Sequence, residues 1–117
     1  MKKLKTVLLA VLLLGVVTAS FGQLSDKAQL VKDSRPEMYS QIKQFAEKDW
    51  KGHHSMMVYT INKQVDSYFE FVELARREDY DKELMIDAVM SWDYKDLWDY
   101  SMIVYTYKKQ LKAKNQY

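Results

Sequence analysis

The chain has 117 residues, with 18 Lys and Arg against 16 Asp and Glu, three Gly, one Pro and no Cys. A chain of this length supports one domain, and without cysteine it can form neither a disulfide framework nor the acylated cysteine of a lipoprotein. The near balance of charge gives no general reason to bind nucleic acid, whose phosphates demand a basic footprint.

The N-terminus reads as an address rather than as structure. Lys2, Lys3 and Lys5 precede an apolar run over residues 7–17 broken only by Gly15, and Thr18, Ala19, Ser20 and Gly22 supply small residues before Gln23. That is the layout of a secretory signal peptide over residues 1–22, with Ser20 at the −3 position. A membrane anchor is the competing reading, but a span takes roughly 20 consecutive apolar residues, and this run is about half as long. The expected product is exported, periplasmic or extracellular, with no transmembrane segment after cleavage. Three of the lysines leave with the signal, so residues 23–117 carry 15 basic against 16 acidic side chains.

Beyond the signal only Gly52 and Pro36 represent the two strongest helix breakers. A sheet protein of this size needs many turns built from Gly, Pro, Asn and Asp, so the pattern predicts an all-α fold, a small bundle of three or four helices over residues 34–117. Residues 23–33 are polar and loosely patterned, and read as a flexible N-terminal arm or a marginal extra helix. Ser34 with Glu37 three residues on, and Pro36 between them, predicts a capped start for a helix ending near Gly52 with Met38, Ile42, Phe45 and Ala46 on one face. A second helix is expected over 53–77, because Val58, Ile61, Val65, Tyr68, Val72 and Ala75 follow three-four spacing. Asp81 can cap a third carrying Leu84, Met85, Ala88, Val89 and Trp92. Leu97, Tyr100, Val104, Tyr107 and Leu111 form a fourth stripe, its phase shifted near Asp93 and Asp96, either of which could be its N-cap.

Residues 55–65 align without gaps with residues 101–111, an offset of 46, and seven of the eleven positions are identical. Such a period fits two αα-hairpin units related by an internal repeat. It also predicts that Val58, Ile61, Val104 and Tyr107 are buried, and that the two segments face each other across a twofold axis. Tyr59 with Gln64, and Tyr105 with Gln110, repeat outside the apolar stripe and suit hydrogen bonds where the related helices cross, or a twofold pseudo-symmetric binding groove. Association of the same faces between two chains, a homodimer, is the other way to cover them.

Catalytic signatures are scarce. There is no cysteine nucleophile, no Gly-rich phosphate loop and no Gly-x-Ser-x-Gly elbow, and the two histidines are adjacent, so a Ser-His-Asp arrangement has little to draw on. No cofactor is expected. Two clusters carry binding chemistry. His53, His54, Met56 and Met57 start the second helix, with His53, Met56 and Met57 on one face; imidazole with thioether suits copper, and imidazole with nearby Asp49 suits zinc. Trp92-Asp93-Tyr94 recurs as Trp98-Asp99-Tyr100; exposed, these aromatics could grip a sugar or a peptide, and buried they would form a corner of the bundle. The lysines at 108, 109, 112 and 114 read as a helix end matched to its own dipole. The expectation is an exported, non-catalytic binding or structural module of the cell envelope with an unknown protein or envelope partner, and a metal-binding protein is the alternative.

Overall fold

The structure, a computed structural model, describes residues 22–117. The predicted signal lies outside the described residues apart from Gly22. The fold is all-α: among the described residues five helices enclose one two-stranded hairpin. None of these helices is long and apolar enough to cross a membrane.

Of the two readings of residues 23–33, a flexible arm or an extra helix, the structure has the helix. In α1 (Asp26–Ser34), the Ser25 hydroxyl accepts the Ala28 N–H at 3.1 Å as an N-cap. The Ser25 N–H donates to Asn62 Oδ1 at 2.8 Å, and Asn62 Nδ2 donates to the Gln23 carbonyl at 3.1 Å, which fastens the entry of the helix to its neighbour. Only Ala28 and Val31 are buried along it, a stripe too thin to stand out in a polar sequence. Ser34 is consequently not the N-cap of the next helix. It is the last residue of α1, and its hydroxyl donates to the Leu30 carbonyl at 2.6 Å. Arg35, at φ −137 and ψ 67, makes the break, as a residue before proline is driven out of the helical region.

Pro36 opens α2 (Pro36–Trp50), which buries Ile42, Phe45 and Ala46. Gly52 turns the chain at φ +89, where a side chain would be strained. From there α3 (His54–Ala75) runs back along α2 and buries Val58, Ile61, Gln64 and Val65. Asp81 caps α4 (Lys82–Ser91), its carboxylate accepting the Leu84 N–H at 3.1 Å. The same carboxylate accepts from Lys114, which holds it below the usual carboxylate range, and the Asp81 N–H donates to Tyr107 Oη at 2.9 Å. The start of α4 is thus tied to the end of α5 (Tyr100–Lys114).

The phase shift is a real break, with strands rather than a bare cap. Strands β1 (Asp93–Tyr94) and β2 (Leu97–Trp98) pair antiparallel around Lys95 and Asp96, both in the left-handed region at φ 50 and 71. That is a two-residue primed turn, the kind whose twist suits a hairpin. Neither expected cap serves α5: Asp93 accepts the Asp96 N–H at 2.8 Å inside the turn, and Asp99 caps the helix by accepting the Met102 N–H at 3.2 Å.

Helix α3 is the axis of the fold, contacted by α1, α2 and α5, while α4 packs on α5 and β2 lies against α2. One core cluster gathers Ala28, Val31, Ile42, Ala46, Ile61, Val65 and Tyr100; a second gathers Met85, Ala88, Ile103 and Tyr107. Phe71 and Trp98 pack against both and join them. Val58, Ile61, Val104 and Tyr107 are all buried. The repeated segments are nevertheless not opposed. Bonds from Gln64, Ser67 and Glu70 to Asp99, Tyr100, Ser101 and Lys108 join residues 34 to 38 apart. This register differs from the repeat offset of 46, and α5 runs parallel to the second half of α3.

Candidate functional site

The aromatic pair of motifs divides between surface and core, because a hairpin separates the two copies. Trp92 is the C-cap of α4, and its carbonyl accepts the Asp99 N–H at 3.2 Å across the base of the hairpin. Its indole Nε1 donates to Thr106 Oγ1 at 2.9 Å, so an exposed ring is held in place. Tyr94, near the turn, is 51% exposed. Lys48 Nζ lies 5.1 Å from its ring centroid and Lys95 Nζ 5.6 Å, both within cation–π range. Lys48 also stands 4.7 Å from the Phe45 ring and pairs with Asp49 at 3.3 Å. One ammonium therefore bridges a core ring on α2 and a surface ring on the hairpin.

The second copy turns inward. Trp98 is half-buried with its ring 6.2 Å from Phe71 and 5.9 Å from Tyr100, and Tyr100 is buried between Phe71 and Tyr68. The Tyr100 hydroxyl donates to Met38 Sδ at 3.5 Å. Burial, with a smaller effect of Tyr68, pushes this phenol up to about 12. Trp98 and Tyr100 thus build the corner of the bundle, and Trp92 and Tyr94 remain as the surface pair.

Under the hairpin lies a polar clamp that the spacing pattern left outside the core stripe. Gln64 is 3% exposed. Its Nε2 donates to Asp99 Oδ1 at 3.0 Å and to Ser101 Oγ at 3.1 Å, and its Oε1 accepts the Tyr100 N–H at 2.7 Å. Its counterpart in the repeat, Gln110, is exposed, as are Tyr59 and Tyr105. Hydrogen bonding where α3 meets α5 thus comes from Gln64, Ser67 and Glu70 and not from a symmetric Tyr and Gln set.

The other cluster is spread over the start of α3. His53 occupies the N-cap position without a side-chain cap bond, exposed and edge-on to Trp50 at 6.3 Å; His54 is exposed, and Met56 and Met57 are half-buried. Among the described residues no group of three or more His, Asp and Glu gathers as metal ligands.

Two of the grooves on the described surface bear on binding. One, of about 600 Å³, runs between α1 and α3 with Val31, Tyr68, Phe69 and Val72 among its lining and both charge signs on its rim. The other, of about 500 Å³, lies between α3 and α5 and is lined by Lys63, Lys108, Lys109 and Lys112 together with Ser67, Ser101, Val104 and Tyr105. The expectation of a dipole-matched tail did not foresee it, because Lys63 joins the others only through tertiary packing. In comparisons with known proteins, no family model, curated protein or solved structure matches the chain.

Proposed function

We propose that the chain is an exported, non-catalytic helical binding or structural module of the cell envelope, periplasmic or extracellular once its signal is removed. The observation that carries the binding reading is Tyr94, an exposed ring braced by Lys48 on one helix and anchored through a hairpin whose other aromatic, Trp98, is packed in the core. A ring already fixed at the surface offers apolar contact area with little ordering cost on binding. Trp92, held by Thr106, extends the same kind of surface beside it.

The eleven-residue repeat supports a finer reading of the architecture as two αα-hairpin units, α2 with α3 and α4 with α5. Seven shared residues and the common buried positions Val58 and Val104 favour it, and the unlike surroundings of Gln64 and Gln110 mark the divergence of the copies.

Co-sedimentation of purified mature protein with isolated cell envelopes tests the binding reading. Wild type should pellet with the envelopes, and Tyr94→Ala should be retained at least about ten-fold less, a loss of about 1.4 kcal/mol, with an unchanged melting temperature. Equal retention of the two proteins would remove the hairpin from the account.

Metal binding by His53, His54, Met56 and Met57 is the second reading, favoured by the exposure of both imidazoles at one helix start. Calorimetric titration with copper and zinc separates the readings: heat at micromolar metal that disappears in a His53→Ala, His54→Ala double variant supports the metal.

A further inference from the structure

Two exposed surfaces outside the hairpin are opposite in charge and alike in spacing. The first is the α3–α5 groove. Four lysines line it against one carboxylate, Glu70, which is spent on Lys108 at 2.6 Å. Among the described residues Lys63, Lys109 and Lys112 make no ion pair. Between the charges lies the ring of Tyr105, 58% exposed, and the buried Val104 also lines the groove. The described residues carry 15 basic and 16 acidic side chains in all, so this concentration of cations leaves the rest of the molecule acidic.

The second surface is the outward face of α4. Met85 and Ala88 turn toward α5, so Glu83, Ile86, Asp87 and Met90 share the opposite arc of the helix. Ile86 is 46% and Met90 72% exposed, and both acidic residues are exposed. Acid and apolar side chains thus alternate along one face, each pair four residues apart.

We propose that the α3–α5 groove of one copy receives the outward face of α4 from a second copy, head to tail. Glu83 and Asp87 stand about 6 Å apart along their helix axis, close to the ~4.5 Å rise that separates the unpaired Lys109 and Lys112. The acidic face is about 10 Å long and the groove-lining stretch of α5, from Ser101 to Lys112, about 16 Å, so one fits along the other. Ile86 and Met90 then pack against the ring of Tyr105. A hydrated polyanion would satisfy the lysines but leave Ile86, Met90 and the ring of Tyr105 in water, which is why the groove fits a protein helix better. The chain's own α4 cannot reach the groove because it is packed on a different side of α5. Since donor and acceptor surfaces differ, the contact is heterologous and each copy keeps one of each free, so association continues into short chains or closes as a ring.

Sedimentation of purified mature protein tests this. At low ionic strength the average mass should rise with concentration above that of the monomer, and return to the monomer value in high salt, which screens exposed charge. Lys109→Glu with Lys112→Glu should be monomeric alone, as should Glu83→Lys with Asp87→Lys, because each reversal sets like charges against each other. An equimolar mixture of the two variants should associate again, with an average mass above that of either variant alone, because the wild-type groove of one meets the wild-type face of the other and the two reversed surfaces are also opposite in charge. Met90→Ser, at a position too exposed to disturb folding, should weaken association without changing charge. A wild-type protein monomeric at all concentrations overturns the proposal, including the case in which its groove instead holds an anionic polysaccharide. So does wild-type association that the charge reversals leave unchanged, or a mixture of the reversed variants that forms no complex while wild type associates.

Discussion

Gln64 shows how one polar side chain can set the position of a helix. Its amide serves the N-cap aspartate of α5, the first backbone N–H of that helix and the hydroxyl of Ser101. Gln64→Ala should therefore cost about 1–3 kcal/mol, the range expected when buried partners are left unsatisfied, as read by denaturant unfolding; a loss below about 0.5 kcal/mol would contradict the clamp. Tyr100, one residue beyond Asp99, gives the fold a pH limit. Its phenol titrates near 12 when folded and near 10 when unfolded. Above pH 10 the unfolded chain thus releases this proton first. Stability contributed by Tyr100 is intact below about pH 10 and declines as pH rises toward 12. Tyr100→Phe should flatten the alkaline loss of stability between those values, and an identical slope in the variant would locate the effect elsewhere.

Among the elements, the hairpin is where local rules were hardest to satisfy and hardest to read. Two-residue primed turns favour Asn-Gly, but the chain uses Lys95 and Asp96, so both residues accept a left-handed backbone that costs about 1–2 kcal/mol for an L-residue. Asp96→Gly should accordingly stabilise the protein by about 1 kcal/mol, seen as a rise in melting temperature of about 4–8 °C for a domain this size; a fall would mean that the Asp96 side chain does more than close the turn. This turn also explains what the sequence could disclose. Three-four spacing made α2, α3 and α4 readable, and Asp81 was readable as a cap because a side-chain oxygen three residues before Leu84 is a local signal. The shifted phase near Asp93 revealed a break, but not strands, since the usual Gly was missing. In α1 the Ser25 cap was a local signal, but the burial is confined to Ala28 and Val31 and the fastening comes from Asn62, a residue 37 positions from Ser25, so the helix read as marginal at best. The lysine groove is likewise tertiary: Lys63 meets Lys108, Lys109 and Lys112 only after α5 packs on α3. Of the aromatic motif, the residue types were visible, while the division into surface Tyr94 and core Tyr100 depended on the hairpin.

Taken whole, the molecule has two buried clusters joined by Phe71 and Trp98, with α3 central to the larger one. Ile61 is 3% exposed in that cluster, so Ile61→Ala should destabilise the protein by about 2–5 kcal/mol, as cavities in packed cores do; a change under about 0.5 kcal/mol would mean the core is not where these contacts place it. Without disulfides, a domain of this size depends on such packing alone or on partners. Export is the premise of the functional reading, since a braced surface aromatic can only meet envelope components if the chain leaves the cytoplasm. Intact-mass analysis of the protein recovered from outside the cytoplasm puts that premise to the test. The expected result is a chain beginning at Gln23, and the contradicting result is a membrane-bound protein that still carries Met1.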